Sequence, residues 1–385
     1  MEFEEYLKVA EYNFEFIDED DKKFSTFRKT GKPDNCQTIE THCKALLGYY
    51  KQHESENGGE YPHYNKWKKW KEDKGGVDPD NSNANSRNDY MALVYYALWK
   101  RPFDAGDPRE KGFPYEYGWG TFRSIDLFEC INKKPLLMGG DTMNTIRSYE
   151  WCKEPKEPFD ELEELCRYEH TLGNFCLVPA NFNRNRANKG NCWDRWDYSV
   201  QYLKDKQFGF KDHLALRAED KKKSADTYFR GFDKEKDFNR YINTMFLWDY
   251  VDKDYNARSL TSWDERRLVD LESKEAGGIP DDKKEIYCIK AARAIKRRGI
   301  FMAAMLKLAA MECKVNLEGK EWWDENWKVS PVYQKIMKEV FCTDEIYGGF
   351  EDVFEKIKSC LEGFGEGILG IIESADKAMK NIDAK

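Results

Sequence analysis

The longest regular pattern in the chain runs from Ile286 to Cys313 and is rich in Ala, Met and Leu. Apolar positions recurring at helical spacing over such a length predict one long helix. Gly299 interrupts the pattern and marks a candidate kink. Shorter segments carry the same period. Helices are predicted over 3–17, 38–52, 90–100, 121–132, 159–167, 193–206 and 238–251, with two more between 331 and 383 separated near Gly348-Gly349. Asp141 is placed to cap another helix running to about Trp151. Only Asn174–Val178 has the length and composition of a strand. The predicted fold is therefore mainly α, a multi-helix globular protein with one small β element.

The chain has 385 residues, enough for more than one domain. Residues 1–280 are predicted to form a mainly helical region, and 281–385 a C-terminal helical subdomain, separate or packed as one domain with the rest. Gly277-Gly278-Ile279-Pro280 is the clearest linker candidate. Charged residues make up 35%, but 12 Trp, 22 Tyr and 23 Phe supply the apolar area for a core. A net charge of −8 argues against a chain coated uniformly in basic groups, yet allows a local basic cluster. Eleven cysteines are scattered with no CxxC pair, which predicts reduced thiols in a cytoplasmic protein. No run approaches the length of a membrane span.

The segment most like a site is Glu169-His170-Thr171-Leu172-Gly173-Asn174-Phe175-Cys176-Leu177-Val178-Pro179, followed by Asn181-Phe182-Asn183-Arg184-Asn185-Arg186. His170 is the one histidine set among so many polar neighbours. Its imidazole suits a general base near neutral pH or a ligand to a divalent metal. Asn174 and Asn183 are candidates to orient it, with Arg184 and Arg186 to grip phosphate. A second motif, Gly140-Asp141-Thr142-Met143-Asn144, offers Asp141 as a carboxylate to complete a metal site with His170. The bland alternatives are a His–Gly–Asn turn that pins a loop and an Asp that caps a helix.

These residues resemble the closing half of the HNH-type nuclease domain at the C-terminus of GmrSD-like restriction enzymes. That family has a pattern like His-x-Leu-Gly-Asn-Leu-Thr-Leu-Leu with an asparagine a few residues on. The match is His170 to Val178, then Asn183, under a twentieth of the chain. The earlier His-Ile-x-Pro element of the family has no counterpart here. The resemblance implies a ββα-like scaffold and metal-dependent phosphodiester cleavage in bacterial or phage conflict. The pairing of this stretch with the Asp-Thr-Met-Asn motif is also similar to that in uncharacterised bacterial proteins.

Basic residues cluster in two places. Eight Lys or Arg face four Asp in 180–217, and nine face four acids in 281–314. Lys290, Arg293 and Arg297 follow i, i+3, i+7 spacing and line one helix face, a candidate nucleic-acid contact or an ordinary solvated face. Two classes of function follow. One is a nucleic-acid-directed, divalent-metal phosphodiesterase. The other is a non-catalytic protein–protein interaction protein in which the polar motif is structural.

Overall fold

The computed structural model describes residues 121–122, 138–144, 160–168, 172–179, 195–205, 235–273, 275, 278–310 and 330–383. The order is β1 (Thr121–Phe122), β2 (Met138–Thr142), α1 (Asp160–Tyr168), β3 (Phe175–Pro179), α2 (Trp196–Asp205), α3 (Glu235–Met245), α4 (Lys284–Ala310), α5 (Pro331–Ile336), α6 (Phe350–Cys360) and α7 (Glu366–Asp383). The described part is mainly α. The helices predicted over 3–17, 38–52 and 90–100 lie outside the described residues.

The β element is larger than the sequence suggests. The strands form an antiparallel sheet in the order β1-β2-β3. Thr121 pairs with Gly139, and Asp141 pairs with Cys176. Thr121 was expected in a helix and Asp141 as the cap of one; both are strand residues, and both assignments are corrected. Met-Gly-Gly-Asp-Thr has little intrinsic strand preference. Here β3 supplies a complete ladder partner and sets its conformation.

The central element is α4. From Arg297 to Met305 every residue is buried, so the helix is enclosed on all sides there rather than lying on a surface. It packs against α1, α5, α7 and the short 3-10 turn Leu172–Asn174. Leu162 and Leu165 of α1 are buried, and Lys296 of α4 pairs with Glu164. The helix runs without a break through Gly299. The stretch at 278–280 is packed: Ile279 is buried, and the Gly278 carbonyl accepts a hydrogen bond from Arg195 at 3.5 Å.

Local chemistry sets the helix ends. Ser330 caps α5, its hydroxyl accepting from the Tyr333 amide at 3.2 Å, with Pro331 in the first turn. A π-helical turn, Met337–Phe341, follows α5 directly. At the end of α3, Phe246 takes a left-handed backbone at φ 58, and the Leu247 amide returns to the Ile242 carbonyl at 3.1 Å. Glycine is usual at such a cap because a side chain costs about 1 kcal/mol or more there. The Phe246 ring packs against Trp248, Phe301 and Phe341 with centroids 5.0 to 5.7 Å away, which offsets that cost. The tail contains a second break beyond the one expected near Gly348-Gly349: α6 ends at Cys360, and Gly363 has φ 89 before α7 begins.

Cys176, Cys288 and Cys360 are free thiols, but Cys342 is disulfide-bonded, which corrects the expectation of wholly reduced cysteines. Sequence spacing carries no information on which Cα atoms the fold brings within bridging distance. Among the described residues, no helix is long and apolar enough to cross a membrane.

Candidate functional site

The two motifs singled out from the sequence meet in space. The Leu172–Asn174 turn delivers Asn174 to the entry of β3, opposite the end of β2. The Met143 amide donates to the Asn174 carbonyl at 2.6 Å. The Asn144 amide donates to Asn174 Oδ1 at 2.9 Å, and Asn174 Nδ2 donates to the Asn144 carbonyl at 2.8 Å. One side chain thus satisfies both backbone groups of one residue, in the manner of a strand partner. Both asparagines are fully buried.

The Asn144 side chain continues the network. Its Nδ2 donates to the Tyr250 hydroxyl at 2.8 Å. Its Oδ1 accepts from the Trp196 amide at 3.1 Å and from the Tyr287 hydroxyl at 3.4 Å. The Trp196 amide opens α2 and has no intrahelical acceptor, so Asn144 caps that helix from outside it. Three of the four hydrogen-bonding positions of this amide are used. Burial holds the Tyr250 phenol well above its ordinary pKa, outweighing the opposing pull of the Arg298 guanidinium, so the hydroxyl stays protonated.

Backbone contact and an arginine seat the turn on α4. A Cβ placed on Gly173 would lie 2.0 Å from the Ile295 carbonyl oxygen, 2.8 Å from the Gly299 nitrogen and 3.0 Å from its Cα. The two glycines therefore let the turn touch the helix backbone directly. The residue before Gly299 on the helix, Arg298, is fully buried; it donates to the Gly173 carbonyl at 3.0 Å and the Met245 carbonyl at 2.8 Å. It ties the turn to the carbonyl end of α3.

The remaining sequence candidates fall into two groups. His170, Asn183, Arg184 and Arg186 lie outside the described residues. Asp141 is described through its backbone, as a strand residue. Lys290, Arg293 and Arg297 share α4, but they do not form a free basic stripe. Lys290 donates to the carbonyls of Ser259 and Ser262 at 3.3 and 2.8 Å and pairs with Glu265 at 3.1 Å. Arg297 is buried and bridges Asp249 and Glu351, each at 2.9 Å. Burial pushes the Asp249 carboxyl above its ordinary pKa, against the pull of Arg297. Arg293 is exposed. Charge spacing alone could not show that two of these cations point at acids on neighbouring elements.

One buried polar centre was missed by sequence reasoning. Asn243 of α3 is fully buried. Its Oδ1 accepts from Trp248 Nε1 at 2.9 Å and from the Tyr255 hydroxyl at 2.5 Å. Its Nδ2 donates to the carbonyls of Thr343 and Glu345 at 3.3 and 2.9 Å, so the whole amide is used. The available signal was an asparagine inside an aromatic helix, a place its side chain disfavours without a tertiary partner. Among the described residues, no three His, Cys, Asp or Glu side chains gather as a metal site. Comparison with known families, with curated proteins and with solved structures gives no match for this chain.

Proposed function

We propose that this chain acts by binding rather than by catalysis, with the Asp-Thr-Met-Asn and His-Thr-Leu-Gly-Asn-Phe motifs serving as the brace of its fold. One observation carries this reading: Asn174 is fully buried, with both ends of its amide committed to the backbone of Asn144. An amide spent at both ends on one neighbour's backbone does the work of a missing strand partner, a structural task that needs no substrate. Polar residues clustered around a glycine are as well suited to this task as to chemistry, since directional bonds fix a register that apolar contact leaves loose.

The phosphodiesterase reading makes His170 a base or metal ligand, and the two readings separate in one experiment. Full-length protein is incubated with supercoiled plasmid and with single-stranded RNA in magnesium, manganese or zinc. The binding reading expects no cleavage with any of them, and an Asn174→Ala variant destabilised by about 2–4 kcal/mol through two orphaned backbone groups. Metal-dependent cleavage that disappears in a folded His170→Ala variant would overturn it. So would an Asn174→Ala variant as stable as the parent.

A further inference from the structure

Between Val251 and Ser273 the chain makes an excursion with little regular structure, yet helices on either side hold its backbone. Gln201 of α2 accepts from the Ala257 amide at 2.9 Å, and Asp197 accepts from the Leu260 amide at 2.9 Å. Lys290 of α4 holds the Ser262 carbonyl. The excursion closes as a bridge between Arg258 and Leu268. Beyond the bridge, the Asp264 carbonyl accepts from the Arg267 amide at 2.9 Å, and the Asp264 side chain accepts from the Arg266 amide at 3.0 Å. The tip is thus a fixed turn.

Six consecutive residues of this tip, Trp263 to Leu268, are exposed. Trp263 is 57% and Leu268 41% exposed, two of the three exposed large apolar side chains among the described residues. A tryptophan held in water on a rigid turn is an anchor whose ordering cost is already met.

The order of the six residues identifies what fits it: Trp, Asp, Glu, Arg, Arg, Leu. We propose that this turn is a self-recognition surface, through which two copies of the chain associate about a two-fold axis passing between Glu265 and Arg266. Such an axis places residue i opposite j and j opposite i. Trp263 then faces Leu268 of the second copy, Asp264 faces Arg267, and Glu265 faces Arg266. Every acid meets a base, and the apolar residues meet at both ends. A polyanion would face two carboxylates as well as two guanidinium groups. Within one chain Asp264 pairs with Arg266 at 3.0 Å, Arg267 with Glu275 at 2.7 Å and Glu265 with Lys290 at 3.1 Å; in each pair the group on the turn is exposed, and Lys290 keeps two carbonyl partners when Glu265 leaves it, so the exchange costs little. Six residues are far fewer than the roughly 20–30 a side of a stable complex, so the association is weak and concentration-dependent. It goes beyond the binding role proposed above and does not depend on the Asn144–Asn174 brace.

Sedimentation equilibrium of the full-length protein, from low to several hundred micromolar, tests this. A monomer–dimer equilibrium weakened by salt is expected. Trp263→Ser should lower the association constant about tenfold. Asp264→Arg/Glu265→Arg and Arg266→Glu/Arg267→Glu should each be monomeric, and mixing the two should restore a dimer, because each then complements the other. Circular dichroism melting verifies that each variant remains folded, and the parent series stands without them. A parent monomeric throughout, charge variants that associate like the parent, or a mixture that stays monomeric would each overturn the proposal.

Discussion

The amide brace and the aromatic cluster both fasten onto α4, through different forces. Around the Leu172–Asn174 turn the fastening is directional: two asparagines, two tyrosine hydroxyls and one buried arginine, each aimed at a particular partner. Around Phe301 it is area: Phe246, Trp248, Phe350 and Phe354 surround the ring with centroids 5.0 to 5.5 Å away, mostly edge to face. Burying rings supplies free energy but specifies register loosely. Hydrogen bonds add little net free energy, yet leaving one unmade is expensive. A polar motif that stands out in a sequence can therefore be conspicuous because of what it specifies during folding.

The sharpest way to break the contrast is Gly173→Ala. The added carbon would overlap the α4 backbone, which cannot retreat like a flexible side chain. We expect a loss above about 4 kcal/mol, seen as the absence of a cooperative urea transition. Phe301→Ala should cost about 3–5 kcal/mol, and Phe301→Leu under half of that, because neighbouring rings can close around a smaller apolar group. A double-mutant cycle of Asn144→Ala and Tyr250→Phe by urea titration, which removes the two ends of one side-chain hydrogen bond, should give a coupling of about 0.5–3 kcal/mol, whereas two uncoupled sites would give none. The mildest test is alkaline titration. Burial raises the pKa of Tyr250 in the brace and of Tyr333 beside the cluster, so the stability they contribute is fully present below the unfolded value near 10 and falls as pH rises beyond it. Their tyrosinate absorbance should appear together with loss of near-ultraviolet dichroism. Titration of these phenols in a protein that stays folded would contradict their burial.

Among the described residues, the helices were largely legible in the sequence. The pattern over 286–313 became Lys284–Ala310, and 193–206 became Trp196–Asp205, since both present apolar residues at helical spacing to a core. The strand at 174–178 was found within one residue at each end. Its partner was not, because Met138–Thr142 contains two glycines and no β-branched residue before Thr142; its conformation comes from a neighbour distant in sequence. The same reason hid the brace. Asn144 fell within the helix expected after Asp141, whereas its role emerges only when Tyr250, Tyr287 and Trp196 arrive from three later elements. Local pattern shows which surface is apolar. It cannot show which amide will stand in for a ladder.

The contact between Gly173 and Gly299 has a consequence for how length can vary in this chain. Each residue inserted into a helix turns everything beyond it by about 100°. One extra residue between the start of α4 and Ile295 would rotate the notch away from the turn and present a side chain in its place. The tolerable sites for insertion are then the connections, such as that between α6 and α7, while the first half of α4 is fixed in length by the notch that receives Gly173.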